Sequence, residues 1–156
     1  FSKFDTSLNV FDLTAGFCKD AFSIANMGFQ VTAYEKESWL FEFNKTRLSS
    51  LKKSNLNLIN SNSMRALKKV TKKDILFLDP MFEINSRSSA KKEIQFLRKC
   101  ISTSSEKEIL DAAQKSSAGV IIIKRHKLSN SQNPTKPSYV IKGKVISFEV
   151  FDRRAV

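Results

Sequence analysis

Short apolar segments alternate with amphipathic segments along most of this chain, and this alternation limits the possible folds more than any other feature of the sequence. The apolar segments predict strands at residues 8–13, 30–35, 56–60, 74–79 and 119–124. The stretches between them have the helical period, which is typical of a largely parallel α/β sheet. A chain of 156 residues has the size of one domain, so a single domain over residues 1–156 is expected.

The last part of the chain departs from this alternation. Residues 139–141 and 145–151 read as two strands on either side of a short turn. We expect a β-hairpin that closes the sheet with antiparallel strands, with Gly143 supplying the positive φ of the turn. The predicted fold is therefore α/β, with a mostly parallel sheet and an antiparallel C-terminal hairpin.

Three helices are predicted in the middle of the chain. The first follows Ser38 and carries Leu40, Phe43, Leu48 and Leu51 on roughly one face, which we expect to pack on the sheet. Two more are predicted over residues 88–101 and 105–115, separated by a cluster of serine and threonine.

The positive charge of the chain is unevenly distributed. The net charge is +12, and no acidic residue occurs in residues 43–73 or 112–148, which hold nine and seven lysines and arginines. Such regions attract polyanions, so Lys124, Arg125 and Lys142 are predicted to contact RNA phosphates. A genome rich in A and T would enrich lysine whatever the function, and composition alone leaves both interpretations open.

Cysteine content and hydropathy bear on the compartment. Cys18 and Cys100 are far apart and fit no metal-binding spacing, and no export signal is recognisable. No apolar run approaches the roughly 18 residues that a membrane-spanning helix needs. We therefore expect a cytoplasmic protein that binds neither membrane nor metal.

The first candidate site follows the first predicted strand, at residues 12–16 (DLTAG). Gly16 lies where the chain must turn from strand to helix, and Thr14 and Ala15 are small enough for a ligand to approach the backbone. A strand, a glycine turn and a helix N-terminus together favour a nucleotide-like ligand. An ordinary α/β corner would have the same sequence, so the motif needs support from elsewhere.

Glu35 supplies that support. It ends the second predicted strand, 19 residues after Gly16. In α/β nucleotide-binding folds an acidic residue at this distance accepts hydrogen bonds from ribose hydroxyls. The alternative is a surface glutamate at a strand end.

The second candidate site is the sequence Asp79-Pro80-Met81-Phe82, directly after the fourth predicted strand. Asp79 and the Pro80 carbonyl could accept the two protons of an exocyclic base amine, which would direct its lone pair at a methyl donor. Phe82 would hold the base by stacking. The alternative is a turn, which Asp-Pro often opens.

Both segments resemble motifs of the RsmJ family, the S-adenosylmethionine-dependent methyltransferases of guanine in small-subunit ribosomal RNA. Residues 12–22 (DLTAGFCKDAF) resemble the family's DATAGLGRDAF, and residues 78–82 match its LDPMF. Further matches extend over nearly the whole chain: residues 31–36, 58–64, 91–93, 120–125, 136–137, 142–144 and 148–150. Cys18 stands where the family has a glycine, and the resemblance leads us to expect a domain without the family's additional N-terminal region.

The resemblance implies a Rossmann-like class I methyltransferase fold and a metal-free methyl transfer to the 2-amino group of guanine. The ligand would be S-adenosylmethionine, and the partner ribosomal RNA or the small ribosomal subunit. The expected catalytic residues are Asp79, Pro80 and Phe82. The expected cofactor-binding residues are Thr14, Gly16, Lys19, Asp20, Glu35, Lys36, Asn62, Ser63 and Asp79.

Two other functions fit the same residues. The chain could methylate another planar amine, an adenine or a protein amide, because an Asp-Pro segment followed by an aromatic serves several such amines. It could also be a catalytically inactive RNA-binding relative, because of Cys18 and the absent N-terminal region.

Overall fold

A computed structural model of the chain describes residues 1–51, 53–80, 104–126 and 135–154. The strands are β1 (Asn9–Asp12), β2 (Gln30–Glu35), β3 (Leu56–Asn60), β4 (Asp74–Leu78), β5 (Val120–His126), β6 (Tyr139–Lys142) and β7 (Ile146–Asp152). The helices are α1 (Lys19–Asn26), α2 (Ser38–Ser49), a 3₁₀ helix (Ser63–Lys68) and α3 (Ser104–Lys115). The predicted helix over residues 88–101 and the Met81-Phe82 part of the second candidate site lie outside the described residues.

The described strands form one seven-stranded sheet in the order β3-β2-β1-β4-β5-β7-β6. Strands β1 to β5 are parallel, and β7 runs antiparallel to both β5 and β6. The predicted arrangement, mostly parallel with an antiparallel C-terminal hairpin, is confirmed. Because β1 pairs with β2 on one side and with β4 on the other, the carboxyl ends of all three strands lie at the same edge of the sheet.

Hydrophobic layers cover both faces of the sheet. Strand β4 is buried along its whole length, as expected for a central parallel strand with both faces covered. Ile75 and Phe77 belong to the layer that includes α1, and Leu76 and Leu78 to the layer that includes α3. No helix among the described residues is long and apolar enough to cross a membrane.

The predicted inward face of α2 was partly wrong. Leu40 is fully buried, but Phe43 is 51% exposed and Leu51 46% exposed. The residue that shares the buried stripe with Leu40 is the polar Asn44, four positions later and 0% exposed. The helical period selects positions 40, 44 and 48, and the apolar side chains outside that stripe misled the prediction.

The hairpin between β6 and β7 corrects the role assigned to Gly143, which does not adopt a positive φ. Its N–H donates to the Ile146 carbonyl at 2.8 Å, which closes the turn. A Cβ atom at position 143 would lie 2.7 Å from that same carbonyl oxygen. Glycine is therefore needed here for a close backbone approach and not for a left-handed conformation.

Helix α1 begins after a residue with an unusual backbone conformation. Cys18 has φ 56° and ψ 22°, the left-handed region, and is the only non-glycine residue with positive φ among the described residues. Its side chain is 0% exposed, and burial raises the pKa of the thiol to about 12. The backbone thus keeps the conformation that a glycine would adopt freely, although the residue is a cysteine.

This conformation predicts that glycine is more stable than alanine at position 18, which reverses the usual order inside a helix. Both Cys18→Gly and Cys18→Ala remove the buried sulfur, but only glycine also removes the steric cost of the left-handed backbone. We expect Cys18→Gly to be more stable than Cys18→Ala by about 1 kcal/mol, measured by urea unfolding. At the exposed helical position Ser23, alanine should be more stable than glycine. The same order at both positions would contradict the interpretation.

Candidate active site

The loop after β1 is held between the two neighbouring strands. The Leu13 N–H donates to the Phe77 carbonyl of β4 at 3.0 Å, and the Ala15 N–H donates to the Tyr34 carbonyl of β2 at 3.2 Å. The chain therefore contacts both neighbours of β1 before it turns into α1. This arrangement places the loop over the point where the strand order reverses, which is where open α/β sheets bind ligands.

Thr14 joins the two segments that the sequence analysis selected separately. Its hydroxyl oxygen accepts a hydrogen bond from the Asp79 N–H at 2.7 Å, and its own N–H donates to Asp12 Oδ1 at 3.0 Å. The loop after β1 and the start of the Asp79-Pro80 segment are thereby fixed to one another. Thr14 and Asp79 are 65 positions apart, and no local pattern in the sequence indicated this contact.

Gly16 adopts φ +50°, as expected for the turn. Among the described residues, a Cβ atom there would meet only the Thr14 carbonyl oxygen, at an ordinary contact distance of 3.8 Å. The Gly16 carbonyl accepts a hydrogen bond from Asn44 Nδ2 at 2.6 Å, and the Phe17 carbonyl accepts one from the Arg47 guanidinium. Helix α2 thus fixes the turn.

Asn44 and Arg47 were missed by sequence reasoning. An asparagine on the inward stripe of a helix was the available signal, because a buried amide needs a hydrogen-bonding partner.

Glu35 lies where it was predicted, at the end of β2, and it is buried, with 6% exposure. Burial raises the pKa of this carboxyl group, and hydrogen bonds from the backbone of Glu37 and Gly16 act in the opposite direction. The Glu37 N–H donates to Glu35 Oε1 at 2.8 Å. The surface-glutamate alternative does not fit a carboxylate that is buried and held by the loop that contains Gly16.

Asn62 and Ser63 lie directly after β3, the strand that pairs with β2. Asn62 caps the 3₁₀ helix through a hydrogen bond from the Met64 N–H to its Oδ1, at 2.9 Å, and Ser63 is the first residue of that helix. Both are therefore beyond the carboxyl end of β3, near the end of β2. Lys36 and Lys19 are exposed at the same edge.

Asp12 is a site residue that the sequence analysis did not single out. It ends β1 with 1% exposure, beneath the loop, and burial raises its pKa to about 7. The Thr14 N–H lowers this pKa, whereas the nearby charges of Asp20 and Asp79 raise it.

Lys124 connects the remaining carboxylates. Its Nζ donates to Asp20 Oδ2 at 2.7 Å and to Asp79 Oδ2 at 2.8 Å. Burial raises the pKa of Asp79 and Lys124 opposes that rise, while Asp20 adds to it. Burial alone would lower the pKa of Lys124, but the two carboxylates outweigh it and raise the value.

The three residues predicted to contact RNA differ in their surroundings. Lys124 is held by two carboxylates, and the Arg125 side chain is 5% exposed, with its Nε donating to Glu149 Oε2 at 3.1 Å. Their contact with RNA stays a prediction that this geometry does not favour. Lys142, on the edge strand β6, is exposed.

The site as a whole collects negative charge in a positively charged chain. Asp12, Asp20 and Asp79 act on one another, with Lys124 as the lysine that pairs with two of them. Such a crevice suits a ligand that carries positive charge, and its carboxylates can accept hydrogen bonds from an amine. Pro80 is buried beside Asp79 at the start of the segment, whereas Phe82 lies outside the described residues.

The raised pKa of Asp12 predicts a pH-dependent stability. In the unfolded chain this group loses its proton near pH 4, but in the folded protein it does so only at about pH 7. Its contribution to the free energy of unfolding therefore falls as pH rises across this interval. Relative to the parent, Asp12→Asn should gain roughly 1 to 3 kcal/mol between about pH 5 and pH 7, measured by urea unfolding.

The matched control is Asp5→Asn. Asp5 is exposed, and hydrogen bonds from Ser7 lower its pKa, so it is ionised over the whole interval. The difference in unfolding free energy between this variant and the parent should not change with pH. A constant difference for Asp12→Asn as well would contradict the raised pKa.

Comparison with known proteins identifies relatives of this chain. The chain is 32% identical over 151 residues to "Ribosomal RNA small subunit methyltransferase J" of Coxiella burnetii, and 28% identical over 155 residues to the protein of the same name in Buchnera aphidicola. These alignments cover 91% and 92% of the chain. They cover only 59% and 62% of the relatives, so the chain spans about three fifths of their length.

A solved structure supports the fold. The crystal structure of a SAM-dependent methyltransferase from Neisseria gonorrhoeae matches with a TM-score of 0.69 at 23% identity, over 96% of this chain and 67% of that one. The predicted class I methyltransferase fold is thereby confirmed.

A family model described as "Putative SAM-dependent methyltransferase" matches residues 2–153, nearly the whole chain. The resemblance that the motifs indicated is confirmed by this match and by the two named relatives. The chain therefore belongs to this SAM-dependent methyltransferase family.

Proposed function

We propose that this protein transfers a methyl group from S-adenosylmethionine to the exocyclic 2-amino group of a guanine in small-subunit ribosomal RNA. The observation that carries the proposal is the position of Asp79, at the carboxyl end of the central strand β4 and hydrogen-bonded through its N–H to the loop after β1. The names of the relatives support the substrate class. Ribosomal RNA in the small subunit would place the protein in the cytoplasm.

The residues at the sheet edge fit the cofactor. S-adenosylmethionine carries positive charge on its sulfonium and ammonium groups, which the carboxylates of Asp12, Asp20 and Asp79 would attract. Glu35 is the buried acid that would accept hydrogen bonds from the ribose hydroxyls. The lack of a side chain at Gly16 would let the ligand approach the backbone.

The other cofactor residues remain predictions from the sequence. Thr14 would shape the loop through its bonds to Asp79 and Asp12. Asn62 and Ser63 would recognise the adenine edge, since they follow β3 beside the end of β2. Lys19 and Lys36 would lie at the rim. When bound, the cofactor supplies an electrophilic methyl group, and the protein positions the substrate amine and accepts hydrogen bonds from it.

The protein's part in the reaction is to make a poor nucleophile available. The lone pair of an exocyclic base amine is delocalised into the ring. The Asp79 carboxylate and the Pro80 carbonyl would accept hydrogen bonds from its two N–H groups and favour the geometry in which that lone pair points out of the ring plane. The raised pKa of Asp79 also makes it a better acceptor for the proton that the amine must lose. Phe82 would hold the base by stacking.

The first test is the loss of the Asp79 carboxylate. We expect Asp79→Ala to lower the single-turnover rate of methylation by about 100- to 1000-fold with cofactor saturating, because the carboxylate acts on an amine that becomes nucleophilic only in the transition state. The affinity for S-adenosylmethionine, measured by calorimetry, should fall far less. The substrate is unmodified small-subunit RNA, and nucleoside analysis identifies the methylated base.

The exposed Asp5→Ala serves as the control for this substitution and should keep the parent rate. Parent activity in Asp79→Ala would contradict the active-site assignment. Detection of a methylated adenine would contradict guanine as the substrate and would favour another planar amine. Cofactor and RNA binding without any product would favour an inactive RNA-binding protein.

The second test concerns the RNA surface. Lys142 is exposed on the edge strand β6, in the long stretch without acidic residues. If it contacts a phosphate, Lys142→Gln should make the negative slope of log K against log salt concentration shallower by about one. Lys115→Gln is the matched control. Lys115 ends α3 just before β5 begins, so it lies at the amino-terminal ends of the parallel strands, away from the candidate site at their carboxyl ends. Equal slopes in both variants and the parent would contradict the contact.

A further inference from the structure

The contact between Lys124 and two carboxylates is the feature of this site that the proposed reaction has not used. Lys124 lies near the carboxyl end of β5, Asp79 follows β4, and Asp20 lies in the first turn of α1. Three separate elements therefore meet at one ammonium group, 2.7 Å and 2.8 Å from the two carboxylate oxygens. The Lys124 side chain is 19% exposed, so water screens these contacts less than it would on an open surface.

We propose that Lys124 is a positioning residue for the methyl transfer: it keeps the Asp79 carboxylate ionised and turns it so that Oδ2 faces the lysine and Oδ1 faces the substrate amine. The proposal rests on the proposed function for the identity of that amine. The contact between Lys124 and Asp79 Oδ2 comes from the structure and does not depend on it.

The charges around Asp79 make the lysine necessary. Among the described residues, Lys124 from β5 and Asp20 from α1 act on Asp79, and the buried Asp12 of β1 lies close enough for the charge of Asp79 to act on it. Two of these three are acidic, and burial already disfavours the ionised form. When like charges share a site, one of them takes up a proton unless a cation compensates. A protonated Asp79 would be a weaker acceptor for the amine.

The shared contact also determines orientation. An aspartate carboxylate turns about two bonds, so its orientation depends on how firmly both the backbone of the residue and the partner of its carboxylate oxygen are held. Here the Asp79 N–H is held by the Thr14 hydroxyl at 2.7 Å and its Oδ2 by Lys124 at 2.8 Å. Lys124 is in turn held by Asp20 at 2.7 Å. The carboxylate is thus fixed before the substrate arrives, which is the condition for effective electrostatic stabilisation.

The test compares the pH dependence of methylation in Lys124→Met, Lys124→Arg and the parent, by single turnover with cofactor and RNA saturating. Without the cation, Asp79 should become ionised only at a pH about 1 to 3 higher. At a pH below the one at which the parent reaches half its maximal rate, the rate of Lys124→Met should therefore be about 10-fold or more below that of the parent, and it should recover as pH rises. Lys124→Arg keeps the charge and should retain most of the activity.

A second substitution separates charge from structure. Replacing Asp20 as well, in the double variant Asp20→Asn with Lys124→Met, removes the neighbouring negative charge. The pH profile of the double variant should return part of the way toward that of the parent, although both residues of the cluster are lost. Lys115→Met, at the opposite edge of the sheet, is the matched control and should leave the profile unchanged.

A readout without RNA keeps this proposal independent of the proposed function. The Asp79 carboxyl group can be titrated by carbon-13 NMR and assigned by its absence in Asp79→Asn. Its midpoint should be higher in Lys124→Met than in the parent, even if the parent methylates no RNA. Lys124→Gln replaces Lys124→Met if the methionine variant does not fold.

Three results would overturn the proposal. An Asp79 midpoint that does not change on loss of Lys124 would show that the lysine does not control ionisation. A rate that falls equally at every pH, together with a lower melting temperature, would show that Lys124 only stabilises the fold. An unchanged pH profile with weaker RNA binding would make Lys124 a phosphate contact.

Discussion

The central position of β1 is the constraint on which the site depends. It pairs in parallel with β2 and β4, so the carboxyl ends of the three strands lie side by side. The loop after β1 must pass over these ends. The loop uses both neighbours as hydrogen-bond acceptors, Phe77 in β4 and Tyr34 in β2. Asp12, Glu35 and Asp79 each end or directly follow one of these three strands. The hydrogen bond from the Asp79 N–H to Thr14 attaches the segment after β4 to this loop.

The backbone that follows the ends of β1 and β2 explains why acidic groups can be buried at these positions. Asp12 and Glu35 end adjacent parallel strands and are 1% and 6% exposed. Each accepts a hydrogen bond from a backbone N–H two residues later, from Thr14 and from Glu37. These bonds compensate part of the cost of taking a carboxyl group out of water. The remaining cost appears as the raised pKa of both groups.

The sequence was sufficient for features that depend on neighbouring residues. The bounds of β2 and β3 and the positions of Gly16 and Glu35 follow from local apolar runs and spacing. Features that join distant parts of the chain were not predictable in this way. Lys124 was predicted to face RNA because its neighbours in sequence are basic, but its partners are 104 and 45 residues away. The periodicity of α2 likewise could not show that a buried polar residue, Asn44, would hold a carbonyl of another loop.

The attachment of the loop to α2 has a consequence for the entropy of binding. Two consecutive carbonyls, those of Gly16 and Phe17, are held by side chains of one helix, Asn44 and Arg47. The backbone freedom of this turn is therefore lost when the domain folds. A ligand that settles against the turn does not have to order it again, and that part of the entropic cost is absent from its dissociation constant. Helix α2 thus contributes to affinity through residues that never need to touch the ligand.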